Sequence, residues 1–203
     1  MKPPVEAVID LYSRRALEWD ADRGRSLIEK AWLDAFLTDI PENGSILDLG
    51  CGSGEPVAGY LIGRARRLTG VDAAPGLIDL CRARFPQQDW RVADMRGLDL
   101  GRRFDGVIAW HSAFHLTPTD QQAMFAVYAR HVASGGVLMF TSGSKAGEQP
   151  GEWRGEPLYH GSLSPEAYRA GLEAAGFDVL AHAVDDPDCG GATVWLSRRR
   201  VRD

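Results

Sequence analysis

The 203-residue sequence predicts an α/β fold: a three-layer, doubly wound sheet of seven strands, mostly parallel, with an antiparallel last strand. Residues 45–56 read as an apolar strand, a glycine turn and a helix start, which is typical of an open parallel sheet. Strand and helix patterns then alternate along the chain. The connection at residues 185–191 is too short for a helical crossover, so the last two strands must pair antiparallel.

The composition is typical of a globular protein with no nucleic-acid partner. Apolar residues make up 44% of the chain, charged residues 25%, and the net charge is -5. This acidic balance gives no electrostatic reason to expect a polyanion as substrate. No apolar run approaches the roughly 18 residues of a membrane span. We therefore expect neither nucleic acid nor membrane among the partners.

The three cysteines, Cys51, Cys81 and Cys189, are scattered along the chain and odd in number. Their spacing suits a reducing compartment and argues against a disulfide framework. No cluster of His, Asp, Glu or Cys has the spacing of metal ligands, so no metal site is expected. Because the N-terminus also lacks the apolar core of a signal peptide, we predict a cytoplasmic protein, either a monomer or a homodimer.

The length predicts a single domain over residues 1–203, with a helical cap at 1–43 and an α/β core at 44–203. The mixed apolar and charged pattern of residues 5–20 predicts one or two short helices in the cap. Ser26 and Glu29 have the spacing of a capping box that would open the next helix. The cap also carries Tyr12 and Trp19 near Arg23. These aromatic residues either fill surface grooves or form a lid over a ligand.

The first strand of the core ends in three glycines. Asp48 lies inside the apolar strand, and Gly50, Gly52 and Gly54 follow at every second position. Glycines in such a turn allow a ligand to approach the backbone closely. A dinucleotide-binding fingerprint would require a glycine at position 55, where this chain has Glu.

Two further strands end in carboxylates. Asp72 ends the second strand, a little over 20 residues after the glycines, where a carboxylate accepts hydrogen bonds from two ribose hydroxyls. Asp72 could instead cap the helix that begins at Pro75. Asp94 and Met95 follow the third strand in the same way.

The fourth and fifth strands are predicted at residues 104–110 and 137–141, with a helix between them that begins at Pro118. Trp110 and His111 stand at the end of the fourth strand. Residues 142–162 are predicted as a long loop, and its aromatic residues argue for a functional role over simple disorder.

The pattern Asp-x-Gly-x-Gly-x-Gly, with the strand-end acids and the terminal hairpin, resembles the class I, seven-stranded, Rossmann-like S-adenosylmethionine-dependent methyltransferases, in particular their small-molecule branch. The resemblance covers residues 45–200. It implies the cofactor S-adenosylmethionine, its product S-adenosylhomocysteine and a small-molecule methyl acceptor. The cofactor-binding residues that it implies are Asp48, Gly50, Cys51, Gly52, Gly54, Asp72, Ala73, Asp94, Met95 and Trp110.

Methyl transfer from a sulfonium needs mainly alignment of donor, methyl group and acceptor, and a general base only for a nucleophile that holds a proton. The candidate bases are His111, His115 and His160, although His115 lies in an apolar stretch and also suits a packed, hydrogen-bonded histidine. Tyr12, Trp19, Arg23, Trp153 and Tyr159 are the predicted substrate contacts.

The predicted function is transfer of a methyl group to an oxygen, nitrogen or sulfur atom of a small molecule. One alternative is a non-catalytic module that binds the same cofactor. The other is a nicotinamide-dependent oxidoreductase, which Glu55 disfavours because it replaces a glycine of that fingerprint.

Overall fold

The computed structural model describes residues 4–64 and 66–201 of the chain. The helices are α1 (Pro4–Arg14), α2 (Ala16–Asp22), α3 (Lys30–Leu37), α4 (Val57–Gly63), α5 (Pro75–Arg84), α6 (Pro118–His131) and α7 (Pro165–Ala174). The strands are β1 (Ser45–Leu49), β2 (Arg67–Asp72), β3 (Asp89–Val92), β4 (Phe104–Ala109), β5 (Val132–Ser142), β6 (Gly147–Trp153), β7 (Glu156–Ser162), β8 (Phe177–Asp186) and β9 (Ala192–Arg199).

The main sheet has seven strands in the order β3-β2-β1-β4-β5-β9-β8. Strands β1 to β5 pair in parallel, whereas β9 runs antiparallel to both β5 and β8. The predicted fold class is therefore confirmed, including the antiparallel final pair. The order reverses beside β1, so the carboxyl ends of β1 and β4 border a crevice of the kind in which open α/β sheets bind ligands.

Strand β1 is central, and both of its faces are buried. Leu47 and Leu49 pack in the core cluster on one face of the sheet, while Ile46 packs in the cluster on the other face. Successive side chains of a strand point to opposite faces, so a strand between two helical layers must be apolar throughout. Asp48 breaks this rule, which marks it as a residue with a task other than packing.

The predicted long loop at residues 142–162 is wrong, because β6 and β7 form a separate two-stranded antiparallel sheet there. The turn between them consists of Arg154 and Gly155, with φ of 52° and 80°. Positive φ at both central residues is the geometry of a tight hairpin turn. Arg-Gly is not the usual sequence for such a turn, and Pro150 obscures the strand alternation.

The predicted capping box is also wrong. Helix α3 begins at Lys30, and Glu29 precedes it without a side-chain capping bond. Glu29 is buried, and its carboxylate instead accepts a hydrogen bond of 3.3 Å from Arg23. The Glu29 carboxylate, which the capping box would have required, is therefore paired with the Arg23 guanidinium.

The cap helices hold the β6–β7 hairpin through charged and aromatic contacts. Arg154 donates to Asp22 at 2.6 Å, and Arg14 donates to Glu156 at 2.9 Å. The rings of Trp19 and Trp153 meet edge to face, with their centroids 5.5 Å apart. The prediction of one or two short helices in this part of the cap is confirmed by α1 and α2, and the hairpin lies against them.

Within residues 4–64 and 66–201, no helix is long and apolar enough to cross a membrane. The same residues contain no group of three or more His, Cys, Asp or Glu side chains placed to hold a metal ion.

Candidate active site

The glycine turn after β1 needs glycine for two different reasons. At Gly50, φ is 73°, and an added Cβ would lie 2.2 Å from Cβ of Ser112, so no side chain fits. At Gly52, φ is 56°, and nothing lies within 4 Å of an added Cβ. The backbone at Gly52 therefore faces open space, which is the cradle that a closely bound ligand requires.

The largest set of predicted site residues surrounds one cavity at the carboxyl ends of β1 to β4, here called the central cavity. It holds about 670 Å³ of space, including its mouth. Its lining includes the predicted residues Gly50, Gly52, Asp72, Ala73, Asp94, Met95, Tyr12, Trp19, His111 and His115.

The Asp72 carboxylate holds the glycine turn in place. Its two oxygens accept hydrogen bonds of 2.9 Å each from the backbone N–H of Gly52 and of Ala74. Burial raises the pKa of this carboxyl, and the backbone donors oppose that rise. Asp72 thus lines the cavity and accepts from the backbone N–H of the residue before α5, but it is not the N-cap residue of that helix, which has no side-chain cap hydrogen bond.

Asp94 also lines the central cavity but is paired with Arg96. The Arg96 side chain donates to Asp94 at 2.7 and 2.9 Å and to Glu6 of the cap at 2.9 Å. This pairing fixes the carboxylate orientation and ties α1 to the loop after β3. Arg96 is a site component that the sequence did not reveal, because an arginine after an acid is common on any protein surface.

A second cavity, here called the loop cavity, lies beyond the glycine turn and holds about 450 Å³. The predicted residues that line it are Asp48, Gly50, Cys51, Gly52, Trp110, Trp19, Arg23 and His111. Trp19, Gly50, Gly52 and His111 line both cavities, so the two adjoin at these residues. Arg23, which the sequence predicted as a substrate contact, lines this loop cavity together with predicted cofactor-binding residues.

Besides the buried Ser53 hydroxyl, two polar groups of the loop cavity have no hydrogen-bond partner among the described residues. The Asp48 side chain is 3% exposed and receives no hydrogen bond from the described residues. Burial, with a smaller contribution from the charge of Asp72, raises its pKa to about 7. The indole N–H of Trp110 is buried and has no acceptor within the described ranges. Buried polar groups are normally paired, so both groups point to a ligand that completes them.

His111 stands where the two cavities meet. Its φ of 49° is unusual for a residue that is not glycine, and its backbone N–H donates to Thr141 Oγ1 at 2.9 Å. Such backbone strain concentrates at functional sites. Although His111 is exposed at the mouth of the cleft, desolvation of its ring, and then the charge of Arg23, lower its pKa to about 4. The imidazole is therefore neutral at pH 7 and open to a hydrogen bond from a ligand.

His115 lines the central cavity, but both of its ring nitrogens are engaged. Nδ1 lies 2.9 Å from the carbonyl oxygen of Tyr159, and Nε2 lies 3.1 Å from the Tyr12 hydroxyl. Burial lowers its pKa to about 4. The geometry is that of the packed, hydrogen-bonded histidine, one of the two alternatives for this residue.

His160 lies outside both cavities. It lines an open groove beside the hairpin, here called the hairpin groove, with about 940 Å³ of space. The His160 and His115 ring centroids are 4.9 Å apart, so the hairpin groove adjoins the central cavity at these rings. Trp153 and Tyr159 line neither of the first two cavities and pack in the cluster of α1 and β7.

One predicted cofactor residue, Gly54, lies apart from the rest. An added Cβ there would meet Cys81 Sγ and the Phe85 ring at 3.3 Å, so Gly54 faces α5 and not a cavity. Arg84, which the sequence did not single out, bridges the cap and the turn: it donates to Asp20 and, at 3.0 Å, to the carbonyl oxygen of Ser53.

The fold and this site can be compared with those of known proteins. Residues 46–136 match the family described as Methyltransferase domain. The sheet order, the antiparallel last strand and the glycine turn agree with that match. Over these residues the chain is similar to methyltransferase domains.

Two relatives by sequence carry specific names. The chain is 27% identical over 131 residues to a dTDP-4-amino-2,3,4,6-tetradeoxy-D-glucose N,N-dimethyltransferase of Saccharopolyspora spinosa, which covers 64% of this chain and 50% of the relative. It is 32% identical over 136 residues to a malonyl-[acyl-carrier protein] O-methyltransferase of Acetivibrio thermocellus, which covers 64% of this chain and 47% of that one. The chain spans about half the length of the curated relatives it matches.

A solved structure extends the likeness over nearly the whole chain. It is that of CalS10 from Micromonospora echinaspora, an amino pentose methyltransferase with bound S-adenosylmethionine. The TM-score is 0.70 at 20% identity, over 92% of this chain and 96% of that one. At this level of identity the likeness shows the fold.

Proposed function

We propose that this protein is a methyltransferase that binds S-adenosylmethionine and methylates an oxygen, nitrogen or sulfur atom of a small molecule. The observation that carries the proposal is a two-part cleft with complementary chemistry. One part, the central cavity, contains the strand-end carboxylate Asp72. The other, the loop cavity, contains the buried Asp48 carboxyl and the indole N–H of Trp110, which has no acceptor among the described residues.

These groups fit a zwitterionic amino acid joined to a nucleoside. The Asp48 carboxylate would accept hydrogen bonds from the ammonium group, while Arg23 and the Trp110 indole N–H would donate to the carboxylate. In the central cavity, Asp72 would accept from the ribose hydroxyls, since a vicinal diol offers two donors and a carboxylate two acceptor atoms. Asp94 and Met95 line the same cavity and would hold the base.

The residues that line both cavities would surround the junction between nucleoside and amino acid, where the sulfonium lies. When bound, the cofactor would supply an electrophilic methyl group, with a neutral thioether as the leaving group. Trp19 of the cap and the Gly52 backbone line both cavities at this junction. Their contribution is alignment, which can supply most of the rate enhancement of such a displacement.

His111 would orient the acceptor. Its ring nitrogens have no hydrogen-bond partner among the residues described, and a neutral imidazole can accept an N–H or O–H bond from the acceptor. Because its pKa is lowered to about 4, it is a weak base near neutral pH. We infer that His111 positions the nucleophile and that the acceptor's proton passes finally to water.

The two named relatives act on different atoms: one name specifies N-methylation of an amino sugar nucleotide and the other O-methylation of an acyl group on a carrier protein. The proposal therefore covers both nitrogen and oxygen acceptors.

Calorimetry with S-adenosylhomocysteine tests the cofactor site. We expect micromolar binding by the wild type and loss of most of that affinity in Asp72→Ala, with thermal melting to confirm that the variant is folded. No heat and no thermal shift with either S-adenosylhomocysteine or S-adenosylmethionine would refute the proposal. NADH serves as the control ligand, since an oxidoreductase would bind it instead.

Transfer of label from [methyl-³H]S-adenosylmethionine to a panel of amines, alcohols and thiols tests catalysis. Labelled acceptor supports an enzyme. Cofactor binding without transfer to any acceptor of a broad panel would favour a non-catalytic module.

A further inference from the structure

The hairpin groove is a second concave site beside the methyl-donor cleft. It runs between the end of β5 and the face of the hairpin, and residues 142–147 form one of its walls. Phe114 connects it to the junction: its ring centroid is 5.3 Å from that of His160 in the groove and 5.7 Å from that of His111. A molecule in the groove would thus reach the reacting carbon past Phe114.

The groove presents polar side chains that have no hydrogen-bond or ion-pair partner among the described residues. Within residues 4–64 and 66–201, Lys145 makes no ion pair or hydrogen bond, and neither does the amide of Gln149. The ring of His160 makes aromatic contacts but no hydrogen bond. Gln149 and His160 are directly opposed in the hairpin register, so their side chains lie on the same face. Three potential donors therefore face one space.

Lys145 differs from the other cations of this region because it has no carboxylate partner among the described residues. Arg14, Arg15 and Arg154 of the same region all pair with carboxylates of the cap or hairpin. Lys145 lines a concave site of about 940 Å³ and has no such partner within the described part of the chain. The groove also contains one carboxylate, Asp185, which accepts a hydrogen bond of 3.4 Å from Thr193.

We propose that the hairpin groove binds the methyl acceptor and that Lys145 anchors an acidic group, a carboxylate or a phosphate, at the acceptor's non-reacting end. This inference rests on the proposed methyl transfer. An ammonium group with Gln149 and His160 beside it matches an oxygen-rich anion, because all three can donate. Phe114 offers an apolar face for the acceptor's body.

The test uses the full chain saturated with S-adenosylhomocysteine and records ¹⁵N–¹H spectra during titration. The probes are inorganic phosphate, acetate and, as the cationic control, choline. We expect phosphate or acetate to shift the backbone amides of Gly143, Gly147 and Gly161 in a saturable way. The probe that binds more tightly identifies the acidic group.

Two variants, one that removes a positive charge from the groove and one that removes a negative charge, test the inference further. Lys145→Gln should weaken anion binding by about tenfold, the size of one lost charge-assisted hydrogen bond, and leave S-adenosylhomocysteine affinity unchanged. Asp185→Asn should tighten it, because a repelling charge is removed. Lys30→Gln makes the same chemical change on α3, where Lys30 pairs with Asp34, and should have no effect.

Three results would overturn the inference: no saturable anion shift in the cofactor-bound protein, equal anion affinity in wild type and Lys145→Gln, or a response to choline alone. Failure of S-adenosylhomocysteine to bind at all would instead refute the proposed function, so the two failures are distinguishable.

Discussion

The Tyr12 hydroxyl donates a hydrogen bond to Nε2 of His115, over 3.1 Å, and this bond joins the cap to the floor of the central cavity. The direction of this hydrogen bond follows from the partner of the other ring nitrogen, Nδ1. A carbonyl oxygen can only accept, so Nδ1 of His115 carries the proton that is donated to Tyr159. Nε2 of the neutral ring then holds a lone pair, and Tyr12 must be the donor. With both nitrogens engaged, His115 positions the cap and the hairpin.

Tyr12→Phe removes the donor and leaves a half-buried ring nitrogen unpaired. We expect the free energy of unfolding to fall by about 1–2 kcal/mol, since an unsatisfied polar group loses its bond and regains no water. Denaturant unfolding measures the change. Tyr60→Phe is the matched control: its hydroxyl pairs with Asp34 and Arg64 at the surface, and its loss should cost less than about 0.5 kcal/mol. Equal effects would contradict the assignment.

Arg23→Gln tests whether Arg23 binds the amino-acid part of the ligand and not the nucleoside part. We expect the affinity for S-adenosylhomocysteine to fall by about tenfold or more, because a charge-assisted bond to the ligand carboxylate is lost. Affinity for 5′-methylthioadenosine, which lacks the amino acid, should not change. Calorimetry with both ligands measures the difference, and Arg25→Gln, whose partner is Asp20, serves as the control. Parallel losses for both ligands would mean that Arg23 acts only on folding.

Asp48→Asn tests the buried carboxyl in the ligand-free protein. Its pKa is 3.8 in the unfolded reference and about 7 in the folded chain, so the folded state binds the proton more tightly. The free energy of unfolding therefore falls as pH rises between these values. Because Asn does not ionise, the variant does not lose this stability as pH rises. Above pH 7 its free energy of unfolding should exceed that of the wild type by about 1–4 kcal/mol. Melting curves between pH 4 and pH 8 that run parallel for both proteins would contradict this.

The same carboxyl should make ligand binding depend on pH. The ammonium group of S-adenosylhomocysteine requires an ionised Asp48, so the wild-type affinity should rise as pH increases through about 7. Asp48→Asn should bind more weakly, without that rise. Calorimetry at several pH values, in buffers of different ionisation enthalpy, measures both the affinity and the released proton.

Two glycine substitutions should have different consequences. Gly50→Ala places Cβ at 2.2 Å from Ser112 at a positive φ, so the fold itself should be strongly destabilised. Gly52→Ala meets no atom within 4 Å and should cost only about 1–2 kcal/mol of backbone strain. Its methyl group would occupy the cradle and weaken S-adenosylhomocysteine binding. A folded Gly52→Ala protein with wild-type affinity would show that no ligand approaches this backbone.

The sequence was sufficient for the sheet and for the residues around the glycine turn. Apolar strand patterns, strand-end acids and turn glycines are local signals, and parallel strands bring their carboxyl ends to one edge without further information. Asp48, Asp72 and Asp94 could therefore be placed at one cleft before any contact was known. Gly54 shows the limit of spacing, since its glycine serves the packing of α5.

Only the tertiary structure decided how the cap and the hairpin meet that cleft. It turned the predicted loop at residues 142–162 into a hairpin, set Arg23 in the loop cavity, and left Trp153 and Tyr159 outside. The physical reason is that these placements depend on pairings between residues more than 100 positions apart, such as Tyr12 with His115 and Arg154 with Asp22. Each pairing is chosen by shape and charge in the folded chain, and no local pattern records it.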